Sequence, residues 1–319
     1  MTFKNYMPYT EGEKRYHTLS YDLSHRFGGR VWKAAVDAGF TCPNRDGTKG
    51  RNGCSFCAGG SGDFTPASLL TPVEQIRMEQ QRIWHKWPEA QVIAYFQAYS
   101  NTYAPLEKLR SVFEPVVGLS GVCGISIGTR PDCLPVDILD YLQELSHRID
   151  LTVELGLQTV HDQTAECFGR GYGMKTFVNS FEQLKHRGIR TCVHFINGLP
   201  GEDADAMVES AKQIGLLQPD GVKIHALQVL EGTSLAEQWK RGEIQLLSKE
   251  AYIDIVCRQL ELLPPETVIE RLTGDGDKRF LLAPNWRCGK IAVLAGIDKT
   301  LKERNSWQGK EYFENHQLE

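Results

Sequence analysis

Apolar positions fall along this chain in two alternating rhythms. Short, nearly continuous apolar runs over 30–35, 91–98, 121–127, 151–157, 190–196 and 221–227 read as strands covered on both faces. Between them lie segments with helical spacing. Residues 73–87 place Ile76, Ile83 and Trp87 on one face, and 135–146 do the same with Ile138, Leu139, Tyr141, Leu142 and Leu145. Residues 176–186 and 204–217 follow the same rule, and Gly188 stands where a helix would stop. Strand and helix in alternation predict parallel strands joined by right-handed crossovers. Six such units, rather than eight, predict an α/β fold: a partial (β/α)6 TIM-like barrel. The chain divides into a basic N-terminal arm (1–28), the barrel (29–240) and a C-terminal extension (241–319). The extension reads as helices plus turn-rich stretches at 273–277 and 284–289.

Composition narrows the function classes. With 319 residues, 41% hydrophobic and 24% charged, the chain is long enough to bury a full core without disulfide staples. Charged and polar residues interrupt every apolar stretch, so no membrane span is expected. The first residues lack the apolar segment of a secretory signal, which predicts a cytoplasmic protein. Lys and Arg total 36 against 40 Asp and Glu, a net charge of −4. That argues against coating nucleic acid by charge alone. The basic residues gather at both ends, where Lys4, Lys14, Arg15, Arg26, Arg30 and Lys33 face a C-terminal set including Arg271, Arg279, Lys302, Arg304 and Lys310. An ordinary solvated surface explains this as well as a phosphate-binding face.

The candidate chemistry sits in one loop. Cys42-Pro43-Asn44-Arg45-Asp46-Gly47-Thr48-Lys49-Gly50-Arg51-Asn52-Gly53-Cys54-Ser55-Phe56-Cys57 follows the first strand and brings three cysteines together. A Cys-x-x-Cys pair lets two thiolates reach one soft metal centre, and the glycine-rich loop lets Cys42 fold back as a third ligand. An iron–sulfur cluster with an open position, a zinc site and a redox-active pair all use such cysteines. Zinc ordinarily asks for four closed ligands, and Cys123, Cys133, Cys167, Cys192, Cys257 and Cys288 are isolated. A redox pair would not need Cys42.

With these residues in place, the chain resembles the radical S-adenosylmethionine (SAM) superfamily. It resembles in particular the branch holding the elongator catalytic subunit and the YhcC/YtqA-type proteins. The resemblance is carried by Cys42 to Thr48, Tyr95-Phe96-Gln97-Ala98-Tyr99, Thr129-Arg130-Pro131-Asp132, Glu154-Leu155-Gly156-Leu157-Gln158 and Gly198-Leu199-Pro200-Gly201-Glu202. It implies that Cys42, Cys54 and Cys57 hold a 4Fe–4S cluster. The fourth iron would bind SAM, whose reductive cleavage gives a 5′-deoxyadenosyl radical. It places Phe56 against the adenine, Gln97 and Ser100 near the SAM amino group, and Thr129 and Arg130 at the end of the third strand. Glu154 and Gln158 flank the end of the fourth strand, the Gln158-to-Arg170 spacing resembles that of oxygen-independent coproporphyrinogen oxidases, whose pair contacts the SAM ribose and carboxylate, and Gly198 and Leu227 line the base. His194 stands where relatives carry an acidic residue, which leaves its role open. Arg271-Leu272-Thr273-Gly274-Asp275 and Trp307-Gln308-Gly309-Lys310 lie outside the SAM site and suit substrate contact or plain packing equally.

The same resemblance points to tRNA wobble-uridine side chains as substrate, with carboxymethylaminomethyl-uridine converted to aminomethyl-uridine. It also implies an electron donor such as flavodoxin or ferredoxin. A small-molecule or porphyrin-like substrate is the enzyme alternative. An iron–sulfur redox sensor or a structural zinc protein is the non-enzymatic one.

Overall fold

A computed structural model of the chain describes residues 7–9, 12–59, 69–274, 279–286 and 289–312. The six expected strands form as β1 (Val31–Val36), β2 (Gln91–Phe96), β3 (Val122–Thr129), β4 (Asp150–Gln158), β5 (Arg190–Asn197) and β6 (Gly221–Ala226). They pair in parallel and in chain order, from Val31 against Gln91 to Asn197 against Ala226. The sheet ends at β1 on one edge, so the fold is a curled half-barrel and not a closed ring.

The other edge departs from the sequence reading. The C-terminal segment contributes a seventh parallel strand, β8 (Val268–Arg271), which pairs with β6 and carries the barrel one unit further. Only four residues long, it gave no periodic signal of its own. A short antiparallel pair, β7 (Val229–Leu230) with β9 (Leu281–Ala283), stands beside the sheet.

The crossovers are helical as expected: α2 (Pro72–Trp84), α4 (Val136–Ser146), α6 (Met174–His186), which follows the short α5 (Asp162–Cys167), and α7 (Ala204–Leu217). Local chemistry fixes their starts. Thr71 accepts from the Glu74 backbone while the Glu74 carboxylate accepts from Thr71, a reciprocal cap, and Asp203 caps α7. Their apolar faces bury Ile76, Leu142, Phe177, Phe181 and Ile214 against Ile125, Val153, Val193 and Val222 of the sheet's outer face. Two elements the periodicity did not single out, α1 (Leu19–Phe27) and α3 (Leu106–Phe113), complete this layer.

Of the C-terminal helices, α9 (Lys249–Leu262) packs on α7, and α10 (Gly289–Glu303) packs on α9. Gln308 locks both ends of the chain together: its carbonyl accepts from the His17 backbone at 2.9 Å, and its amide donates to Pro264 and Thr267 carbonyls at 2.6 and 2.7 Å. The Trp307–Lys310 motif is thus a clasp within the fold at Gln308. Several basic residues of the termini also pair internally, Lys14 with Asp298 at 2.5 Å and Lys302 with Glu13 at 3.2 Å. The turn-rich stretches expected at 273–277 and 284–289, and Cys288, lie partly or wholly outside the described residues. No described helix is long and apolar enough to cross a membrane.

Candidate active site

The cysteine loop leaves the C-terminal end of β1 and is held by its own turns. Arg45 and Asp46 amides donate to the Cys42 carbonyl at 2.8 and 3.2 Å, and the Gly53 amide donates to Asn44 at 2.8 Å. Gly53 has φ +75°, in the left-handed region that favours glycine, and a Cβ there would lie 3.1 Å from the Arg45 guanidinium. The loop is then pinned from two sides. Ser55 donates to the Phe168 carbonyl at 2.9 Å, and its own carbonyl accepts from Leu235 at 2.9 Å, at the start of α8 (Ser234–Lys240).

Each of the three sulfurs has a nitrogen beside it. The Asn44 amide reaches Cys54 Sγ at 3.4 Å while also donating to the Gly169 carbonyl at 2.7 Å. Arg45 donates to the Cys57 carbonyl at 2.7 Å and reaches its sulfur at 3.4 Å. The Arg130 guanidinium lies 4.0 Å from Cys42 Sγ. N–H donors around thiolates are the means by which a protein stabilises and tunes a cluster. Burial pushes the Cys54 thiol up to about 11, with Asn44 opposing, so a metal must displace its proton. Among the described residues no three His, Cys, Asp or Glu side chains converge as ligands of one ion would. A cubane spreads its thiolates over separate irons, so three soft donors on one loop fit a cluster.

The expected SAM contacts ring this loop, each placed by a strand end. Phe56 packs on Phe168, with ring centroids 5.2 Å apart, in the apolar group that also holds Leu227 and Leu199. Gly198, at φ +92°, and Leu227 line a small pocket with Leu247, Tyr252 and Trp286. Gln97 follows β2, and the Ser100 amide donates to Thr41 at 3.1 Å, tying that strand end to the cysteine loop. Thr129 shares a 2.6 Å hydrogen bond with Thr102. Gln158 adopts a positive φ of 71° at the end of β4.

Three of the expected residues occupy roles that the sequence did not indicate. Arg130 makes a bidentate pair with Asp132 at 2.9 and 2.8 Å, and Asp132 also accepts from Lys49 at 2.6 Å. Arg170, 1% exposed, donates to the carbonyls of Leu157, Thr159 and Tyr172 at 2.6, 2.6 and 2.8 Å, and to Asp162 at 2.9 Å. Its fork therefore grips the chain itself, and it fixes the segment whose carbonyls hold Asn44. Glu154 does not flank the strand end with Gln158. It sits mid-strand on the inner face of the half-barrel, fully enclosed.

Around Glu154 the lumen is charged. One carboxylate oxygen accepts from Ser126 at 2.6 Å and Lys33 at 3.0 Å; the other accepts from His194 at 2.7 Å and from Lys223. Lys33 also bonds Glu270 at 2.5 Å, and Lys223 donates to the Tyr95 hydroxyl at 3.2 Å. Burial alone would raise Glu154, but the charges of Lys223 and Lys33 and the His194 hydrogen bond hold it well below the usual carboxylate range. Burial and Lys223 lower His194, which stays neutral; since the carboxylate only accepts, its Nε2 carries the proton. Barrel interiors are ordinarily filled by branched apolar side chains, so this network marks the lumen as a working part. Lys33, Lys223 and Glu270 were missed by the sequence reading. A lysine at an alternate position of an otherwise apolar strand was the available signal for the first two. Glu270 offered none, because β8 went unread.

Comparison with known proteins decides the family. The Radical SAM superfamily model matches residues 46–214, and the Radical_SAM C-terminal domain model matches 219–303. The chain belongs to the radical SAM superfamily. It is 48% identical to the uncharacterized protein YtqA of Bacillus subtilis over 97% of both chains. It is 33% identical to protein YhcC of Escherichia coli over 88% of this chain and 91% of that one. Among solved structures, the archaeal Methanocaldococcus infernus Elp3 with an N-terminal deletion superposes with a TM-score of 0.66 at 19% identity. That match covers 87% of this chain but 64% of the other, and speaks for the fold alone. The chain is therefore a radical SAM enzyme of the YhcC/YtqA type, and its cofactors are a 4Fe–4S cluster and SAM.

Proposed function

We propose that this radical SAM enzyme modifies the side chain of a tRNA wobble uridine, converting carboxymethylaminomethyl-uridine to aminomethyl-uridine. The motif series supports this through its likeness to the YhcC/YtqA type. The single structural observation that carries it is the charged lumen beneath the cysteine loop. Lysine, glutamate and histidine suit a short polar side chain on an unpaired base, which a protein can draw into a pocket. The flat macrocycle of the porphyrin-like alternative would set apolar surface against these charges.

When bound, the cluster supplies the electron that cleaves SAM and so opens the way to hydrogen abstraction. The chain's own residues hold and orient. Cys42, Cys54 and Cys57 are the ligands. Phe56, Gly198 and Leu227 face the adenine, and Gln97 and Ser100 the amino group. Thr129 and Arg130 hold the third strand's end beside Cys42. Gln158 lies toward the ribose, and Arg170 acts through the carbonyls it grips. A flavodoxin or ferredoxin delivers the electron, and the setting is the cytoplasm. The functional division runs as an arm (1–28), a barrel (29–240) and a C-terminal part (241–319) that adds Glu270 to the lumen.

Nucleoside profiling of tRNA from a deletion strain tests this reading. The carboxymethylaminomethyl nucleoside accumulates and its aminomethyl product disappears. An unchanged profile overturns the tRNA assignment and moves the substrate to a small molecule.

A further inference from the structure

Of the three nitrogens beside the sulfurs, one carries a charge that no described carboxylate takes up. Asn44 is a neutral amide, and the Arg130 guanidinium is committed to Asp132 through two bonds of 2.9 and 2.8 Å. Arg45 differs. Among the described residues it has no carboxylate partner, and its guanidinium donates to the Cys57 carbonyl at 2.7 Å and to the Cys57 sulfur at 3.4 Å.

The loop is folded around this group. The Arg45 amide donates to the Cys42 carbonyl at 2.8 Å, so one residue joins both ends of the cysteine stretch. Gly53 and Gly59, at φ +75° and +84°, stand so close that a Cβ on either would come within 3.1 and 3.2 Å of the guanidinium. A third neighbour is Tyr99, whose ring centroid lies 5.7 Å from the guanidinium carbon. Tyr99 sits at φ +63°, a conformation that glycine adopts freely and a residue with a Cβ adopts at a cost. Gln218 and Asn305 share that conformation but follow the helices α7 and α10, where chains often turn this way. Tyr99 follows a strand, and the Ser100 amide, donating to Thr41 at 3.1 Å, ties its neighbour to the residue before Cys42. The backbone is held in a costly shape where it sets an aromatic ring against the arginine of the loop.

We propose that Arg45 is a positioning residue that sets the reduction potential of the cluster through Cys57, with the ring of Tyr99 as its cover. This rests on the reading of Cys57 as a ligand. Reduction brings one electron from the flavodoxin or ferredoxin and adds one negative charge at that centre. A cation beside a ligand sulfur favours the reduced state and so raises the potential. The neutral Asn44 and the compensated Arg130 contribute N–H groups without that net charge. The ring of Tyr99 keeps water from screening the guanidinium, which strengthens its action on the sulfur.

Redox titration of the reconstituted enzyme, followed by electron paramagnetic resonance at matched iron content, tests this. Arg45→Gln lowers the potential by about 59 mV or more, a tenfold change in a one-electron equilibrium. Arg45→Lys keeps the charge and recovers most of that loss. Tyr99→Leu leaves the loop and its charge in place, lowers the potential by a smaller amount, and carries the test should Arg45→Gln take up no iron. Tyr99→Phe keeps the ring and the wild-type potential. An arginine that only shaped the loop would alter iron uptake and melting and leave the potential alone. A wild-type potential in Arg45→Gln, or in Tyr99→Leu where the glutamine variant takes up no iron, overturns the proposal. So does a lysine variant that falls as far as the glutamine one. Cys57→Ala separates this inference from the ligand reading beneath it. Iron lost there, with equal potentials in the other variants, sinks the role of Arg45 alone; iron retained there sinks the ligand reading and this role with it.

Discussion

The cysteine loop and the lumen beneath it are built in opposite ways. The loop's chemistry comes from one stretch of sixteen residues, 42–57, closed by backbone turns between near neighbours. The lumen draws Lys33, Tyr95, Ser126, Glu154, His194, Lys223 and Glu270 from seven different strands, and its bonds run between residues as far as 237 positions apart. A local site tolerates loss of a single ligand without loss of fold. A buried charge network does not, because each member left alone is a desolvated charge. The difference teaches where activity and stability should separate in this molecule.

The largest expected effect falls on the loop and touches activity only. Cys54→Ala removes a ligand from a partly exposed segment, so SAM cleavage, measured as dithionite-dependent 5′-deoxyadenosine release, drops to background while circular dichroism and melting stay near wild type. Unfolding of that variant would erase the contrast between the two regions.

Next comes the lumen, where stability should suffer most. Glu154→Ala leaves Lys33 and Lys223 without their shared partner and costs about 3–5 kcal/mol, read from urea denaturation at pH 7. A pH series sharpens the point. The Glu154 carboxyl is held below its unfolded value, so its contribution is complete above about pH 4.3 and fades as pH falls toward the folded pKa. Glu154→Gln therefore loses less stability than wild type on acidification below about pH 4.3. Parallel acid limbs in the two proteins would mean that the network does not hold the charge as described.

A smaller effect probes the join between the regions. Asn44→Ala removes the amide that links Cys54 to the Gly169 and Arg170 carbonyls, costing about 1–3 kcal/mol for the carbonyls left behind. Iron retained after desalting should fall alongside. Smallest of all, Thr71→Ala breaks the α2 cap, which holds no sulfur and no lumen charge, and costs about 1 kcal/mol, with SAM cleavage unchanged.

How much of this was legible beforehand follows from the same contrast. The six strands appear within a few residues of their apolar runs, since a strand buried on both faces writes itself as a continuous segment. The three cysteines were legible because metal chemistry demands a particular residue type at close spacing. β8 was not, since four residues carry too little pattern. Arg170 was legible as a residue of interest but not as a clamp on carbonyls, because backbone acceptors leave no trace in side-chain identity. The mid-strand place of Glu154 was hidden by its nearness to Gln158 in sequence, though alternation put both on one face.

Taken alone, the amino-acid order determined the parallel α/β architecture, the position of the thiol trio and the family, all of which depend on local periodicity and local spacing. Only the tertiary structure decided that β8 joins the sheet, that the arginines are committed to partners, and that lysines, carboxylates and histidines from distant strands meet inside the half-barrel. Curling of the sheet is what brings those side chains within hydrogen-bond reach, and curvature is a property of many strands packed together, which no single segment encodes.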